Sequence, residues 1–312
     1  MAEKVPRKYQ MMRCQACRRL IKPNKALAAS LGKRTSVHSR EDCIYRCECG
    51  VAYSNGVNER ERVLITASPE LNVPKSVRPG LVETLGEAVN RANRAKKLFE
   101  FCSENSEDAI TWTVFRGLQQ RGRLDALVAP EHPRGEPALL LWGVPLGGDR
   151  GPEVASALAE VCSSLGEKAN ALSEPDAIVV WPELTVLIEA KFLGKNERQP
   201  NHRNFDRYLD RPELFAASPD EVAAAGYYEL TRNWRIGTAL AERLQTPGFL
   251  LINLGPPEKI EVDADIFMTL VKREPLRAFA SCSWSDVLEA AKPLEAWLDR
   301  YASERHRLLY WR

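Results

Sequence analysis

Apolar residues recur along the chain with two different periods, and the switches between them mark out its elements. From Gly80 to Phe101, Leu81, Leu85, Ala88, Ala92, Ala95, Leu98 and Phe99 keep helical spacing among Ala, Glu, Lys and Arg, which predicts one long helix. Pro74 and Pro79 just before it mark a boundary. Further on, the pattern predicts helices over 106–120 and 152–170 and short apolar strands near 138–144, 176–181 and 185–192. Helices within 204–243, a strand at 248–254 and a strand near 279–283 follow, the last running into a helix from about 285 with Ser285 as N-cap. Short apolar strands alternating with helices predict an α/β core, a mixed sheet flanked by helices. No apolar run approaches the roughly 20 residues of a bilayer span. The first 30 residues are basic and lack an apolar h-region, so a soluble, cytoplasmic protein without membrane contact is expected.

Composition is that of a globular chain, 44% hydrophobic and 28% charged, which excludes extensive disorder. Charge changes the picture more. The net charge is +2, yet residues 1–40 carry eleven Lys or Arg against the single acid Glu3, a local +10, and the remainder carries −8. A basic segment on an acidic body points to a polyanion partner, most simply nucleic acid. The same segment begins the cysteine-rich part of the chain: Cys14, Cys17, Cys43, Cys47 and Cys49 hold five of the eight cysteines. Without a secretion signal, a CxxC followed by a paired cluster some 25 residues later reads as zinc ligation rather than oxidation. Cys14, Cys17, Cys47 and Cys49 are the expected ligands, with Cys43 as the substitute and His38 as a more distant option. Gly50 after the last cysteine suits a tight knuckle. A module this small needs a metal to be stable. Three parts are therefore expected: a basic zinc module over 1–70, a helical linker over 71–103, and a larger domain over 104–312.

The chemistry-bearing stretch runs from Pro175-Asp176 to Glu189-Ala190-Lys191. Two apolar strands flank a turn at Pro182-Glu183, where proline pre-sets φ. In the second strand Leu187, Glu189 and Lys191 face one way and Val186, Ile188 and Ala190 the other. Asp176 opens the neighbouring strand, within reach of the same face as Glu189. Two carboxylates beside a lysine on a buried strand need a counter-charge, and magnesium takes such oxygen ligands. In the helix from Ser106, Glu107 falls near the middle of the inward stripe of Ile110, Val114, Phe115 and Leu118, placing a third carboxylate toward the same region. The four histidines show no paired spacing and no glycine-rich phosphate loop is present, which argues against a Ser-His-Asp hydrolase and against ATP use.

Pro175-Asp176, twelve intervening residues, then Glu189-Ala190-Lys191 resembles the PD-(D/E)xK nuclease superfamily, of restriction-endonuclease-like fold. The resemblance covers roughly residues 100–290. It implies a magnesium-dependent nuclease, with manganese as an acceptable substitute, in which Asp176, Glu189 and Glu107 are metal ligands and Lys191 is the catalytic lysine. Arg198 and Gln199 are the matching candidates for the polar residue many members carry beyond the lysine strand. The implied fold is a restriction-endonuclease-like mixed sheet flanked by helices, preceded by a zinc ribbon, as in defence and DNA-processing proteins. The implied partner is double-stranded DNA, cut as an endonuclease rather than an exonuclease, with a homodimer compatible. The competing reading is a non-catalytic nucleic-acid-binding or adaptor protein on the same fold.

Overall fold

A computed structural model describes residues 10–30, 40–55, 62–128, 133–293 and 298. His38 lies outside them, as do several of the basic residues before position 40. The N-terminal part is built from short pieces around the cysteines. β1 (Met12–Arg13) and β2 (Leu20–Ile21) pair antiparallel, and α1 (Lys25–Ser30) follows. β3 (Tyr45–Arg46), β4 (Ala52–Tyr53) and β5 (Leu64–Ile65) form a three-stranded antiparallel sheet. Its apolar core is small: Met12, Ile21, Ile44, Tyr45, Tyr53 and Leu64 are its main buried members.

The segment 80–101, expected as one helix, is two: α2 (Leu81–Glu87) and α3 (Arg94–Phe101). The break has a tertiary cause. The N–H groups of Val89, Asn90 and Ala92 donate to Trp142 O, Glu174 Oε1 and Asn170 O, so they are not available to a helix. Val77, Leu81, Leu85, Ala88 and Phe101 are fully buried in the core of the larger domain.

Next come α4 (Glu107–Gln120), β6 (Ala138–Leu141), β7 (Val144–Gly147) and α5 (Gly151–Ser164). β8 (Ala177–Val180), β9 (Leu184–Ala190), α6 (Pro219–Ala225) and α7 (Tyr228–Leu244) follow. β10 (Gly248–Leu254), α8 (Pro257–Leu270), β11 (Arg277–Cys282) and α9 (Trp284–Ala290) complete the order. The strand expected over 138–144 is a hairpin that turns at Trp142 and Gly143, both at positive φ (51° and 78°), the pattern of a two-residue type I′ turn. Helix α8, unanticipated, starts at Pro257 and buries Ile260, Ala264 and Phe267. The last helix is capped by Ser283, not Ser285: Ser283 Oγ accepts from Asp286 N, and the Asp286 side chain accepts from Ser283 N.

The larger domain is α/β, with a mixed six-stranded sheet in the order β11-β10-β9-β8-β6-β7. β11, β10 and β9 are parallel, whereas β8, β6 and β7 join antiparallel. One sheet face (Val186, Ile188, Ile252) packs under α2, α4 and α9 through Ile110, Trp112, Phe115 and Trp284. The other (Ile178, Leu187, Leu251) packs under α5, α7 and α8 through Leu158, Trp234, Leu240 and Phe267. Each such aliphatic or phenyl side chain contributes roughly 1.5–3 kcal/mol on burial. α7 lies especially close to the sheet at Gly237, where a Cβ would collide with the Phe249 ring. No described helix is long and apolar enough to cross a membrane.

Candidate active site and metal centre

Antiparallel pairing of Ala177 with Ile188 carries on by one residue and sets Asp176 opposite Glu189. Because side chains alternate, both lie on the α7 face with Ile178 and Leu187. Asp176 is fixed by Ala190 N, which donates to its Oδ2 at 2.8 Å. Lys191 is the first residue beyond β9, yet its N–H still donates to Leu254 O, and its own carbonyl accepts from Trp284 Nε1. Its ammonium donates to Glu189 Oε1 at 2.7 Å and to Glu229 Oε2 at 2.9 Å. From the opposite side of the sheet Glu107, in the first turn of α4, reaches the end of β9 and accepts from Phe192 N at 2.8 Å. The expected Asp176, Glu189, Lys191 and Glu107 thus border one polar cavity of about 330 Å³.

Of what α7 brings to this cavity, the sequence offered Arg232, with Trp234, as a nucleic-acid contact, against helical packing as the better reading; Glu229 and Asn233 it did not single out. Glu229, Arg232 and Asn233 lie on successive turns of the helix face that Gly237 lets down onto the sheet. Asn233 Nδ2 donates to Glu189 Oε2 at 2.7 Å, Arg232 Nη2 stands 4.0 Å from the same oxygen, and Arg232 Nε donates to Asn233 Oδ1. Trp234 belongs to the core, where its indole N–H bonds Leu214 O. On β10, Asn253 is fully buried in register with Glu189, and neither of its amide atoms has a hydrogen-bond partner among the described residues. A second buried cation, Lys97 on α3, lies 3.3 Å from both Asp108 and Glu174 and 4.8 Å from the Trp142 ring. Arg198 and Gln199 are not brought to the cavity: Arg198 bonds Ala225 O and Gln199 bonds Glu197.

Acids outnumber bases here, and their titration follows from that. Burial raises Asp176 well above the usual carboxylate range and neighbouring Glu189 raises it further. Burial also raises Glu189, against the pull of Lys191, and Glu107 behaves likewise. Glu229 goes the other way, because Lys191 and Arg232 outweigh its desolvation. For Lys191, burial alone would lower the ammonium, but Glu189, Glu229, Asp176 and Glu107 hold it above its ordinary value.

The four cysteines form a compact set. Their sulfurs all lie within 4.8 Å of one another, with Cys14–Cys49 at 3.7 Å and Cys17–Cys47 at 3.4 Å. Tetrahedral zinc with bonds of about 2.3 Å places its sulfurs roughly 3.8 Å apart, so the donor set fits a metal such as zinc. The first knuckle closes through Arg18 N to Cys14 O, and the second through Gly50, whose φ of 96° uses its freedom from a Cβ. Burial pushes the Cys14 thiol up, but the Tyr53 hydroxyl and the N–H groups of Cys17 and Ala16 outweigh it and bring it down to about 7, favouring the thiolate a metal needs. Cys43, the substitute ligand, is elsewhere: it packs with Ala52, Ile65 and Cys102, and burial with Asp42 nearby raises its thiol to about 12. Cys43→Ala is accordingly expected to keep one zinc per chain, as elemental analysis would show; loss of the metal would return Cys43 to the ligand set.

Among the described residues this is the one set of three or more metal-ligating side chains gathered so closely. Glu107, Asp176 and Glu189 face one cavity without that convergence. No family model, no curated protein and no solved structure matches the chain in comparisons with known proteins.

Proposed function

We propose that this protein is a magnesium-dependent nuclease that hydrolyses phosphodiester bonds in DNA, on a restriction-endonuclease-like fold with a zinc ribbon on its N-terminal side. The observation that carries the reading is the β8–β9 register, which sets Asp176 opposite Glu189 on one face with Lys191 two residues on. The donor set is all carboxylate, the cavity is polar, and the acids are raised for want of positive charge. These are the conditions a hard, oxygen-seeking divalent cation satisfies. Asp176, Glu189 and Glu107 would hold magnesium, or manganese in its place. When bound, such an ion activates water and neutralises charge on the scissile phosphate.

The chain's own groups supply the rest. Lys191 Nζ, held among four carboxylates, stays charged and orients the attacking water. Asn233 fixes the Glu189 carboxylate from above, and Arg232 offers a guanidinium toward a phosphate. Arg13, Arg18, Lys22 and Lys25, exposed on the cysteine module, would add salt-sensitive backbone contacts.

The closed network in which Lys191 already satisfies Glu189 and Glu229 favours a second reading, a non-catalytic nucleic-acid-binding or adaptor protein. Nicking of supercoiled plasmid separates the two. Purified protein is expected to convert it to open circles with magnesium and not with chelator, and Lys191→Ala to lower the rate at least about 100-fold while gel-shift affinity stays within about threefold. Circular dichroism would verify folding of the variant. Undiminished nicking by Lys191→Ala would remove the lysine from the mechanism, and absence of cleavage by the parent protein on both the plasmid and a single-stranded circle would favour the adaptor.

A further inference from the structure

We propose that the strand taken into this cavity is single: the substrate class is an unpaired nucleic-acid segment, admitted about one nucleotide at a time, rather than the backbone of intact duplex. The proposal rests on the nuclease reading above and narrows its substrate.

Three observations carry it. First, the reacting groups are recessed. The Glu189 and Lys191 side chains are 6% and 9% exposed, and the cavity over them, about 330 Å³, has room for a nucleotide-sized group. Its walls come from four separate pieces of chain: Asn90 and Asn93 in the α2–α3 break, the 167–174 turn, the 204–208 segment and the start of α7. A duplex is a stiff rod with its phosphates on a convex rim. It can bring one to the floor of so narrow a recess only by unstacking and unpairing the nucleotide, whereas a single strand enters without that cost.

Second, the part of the wall built by the 204–208 segment and the start of α7 carries the chemistry that grips unpaired nucleotides. The Tyr228 ring lies 4.0 Å from the His202 ring, with the Arg232 guanidinium 5.9 Å above Tyr228 and the Arg207 guanidinium 5.9 Å from the Tyr208 ring. Tyr228, half-buried at the cavity, can stack any base, and the two arginines can pair with phosphates on either side of it.

Third, the recess has an approach. Glu107 also lines a groove of about 520 Å³ that runs between the β4–β5 region and α3–α4, past Ser54, Phe99 and Asn105. A flexible strand lying in this groove meets Glu107, the residue that the groove shares with the cavity.

The test uses three fluorescent oligonucleotides that share one sequence: a single strand, a blunt duplex and a duplex with an unpaired tail. Anisotropy with the Asp176→Asn protein in magnesium is expected to show the single strand and the tailed duplex bound at least about tenfold more tightly than the blunt duplex. The Arg207→Ala/Tyr228→Ala double change in that background is expected to erase the preference, and cleavage by the parent protein to map to unpaired nucleotides. Equal or tighter binding of the blunt duplex, with cleavage inside paired DNA, would overturn this inference and leave the nuclease reading intact. Failure to cleave any of the three with magnesium or manganese would overturn both.

Discussion

Asp176→Asn is expected to abolish cleavage, by about 1,000-fold or more, while raising the melting temperature of the metal-free protein. The two effects have one origin. Asparagine keeps an oxygen to accept from Ala190 N, so the β8–β9 junction survives, but it removes a negative charge from a cavity that already has too many. The sign follows from the direction of the shift. The Asp176 carboxyl titrates higher in the folded chain than in the unfolded one, so its stabilising contribution is full below the ordinary carboxylate pKa of about 3.9 and fades as pH rises through the folded value. At neutral pH this carboxyl therefore opposes folding. Glu107 and Glu189 share that direction, and Glu229 alone among the four opposes it. A gain of about 1 kcal/mol corresponds to roughly 2–4 °C in a domain of this size. Melting curves of chelator-treated parent and variant at pH 5 and pH 8 would measure it: the variant should gain most at pH 8. With magnesium the order should reverse, the parent rising and the variant not. A variant melting well below the parent at pH 8 without metal would show that Asp176 is a structural ion-pair partner.

Cys47→Ser is expected to empty the four-sulfur site and unfold the module around it. Structural zinc sites in small modules contribute about 10–16 kcal/mol at neutral pH, far beyond what the few buried residues around Tyr45 and Tyr53 can replace. The sheet domain, with two cores of its own, should stay folded. Zinc per chain should fall from one to near zero. Amide exchange in 10–30 and 40–55 should lose its protection while β8, β9 and β10 keep theirs. Retained zinc and unchanged protection would show that the four thiols are not a metal site.

The parts of this arrangement that could be read from sequence are those set by short-range rules. The Cys14–Cys17 and Cys47–Cys49 spacing needed only two knuckles facing each other. The Asp176–Glu189 pairing needed only a tight turn at Pro182 and the two-residue period of a strand. Glu107 followed from helical phase. What escaped depends on contacts distant in sequence. Glu229, Arg232 and Asn233 act on Glu189 only because Gly237 lets α7 settle onto Phe249, which no local pattern encodes. The split of 80–101 is made by acceptors on Trp142, Asn170 and Glu174, and it is this split that turns Lys97 toward Glu174. Ser283 displaced Ser285 as the cap by a shift of two residues, within the usual uncertainty of helix ends.

The seam between the cysteine module and the sheet domain has a practical side. β5 is tied to the chain just before α4 by reciprocal bonds: Leu64 N to Glu104 Oε1, Glu104 N to Leu64 O, and Thr66 N and Oγ1 to Cys102 O. Three residues after Glu104 comes Glu107. A truncated version of the protein that starts at residue 71 would cut these ties and strip the support from the very turn that presents Glu107. One that starts at residue 62 would keep them, so the sensible place to divide the gene lies ahead of β5.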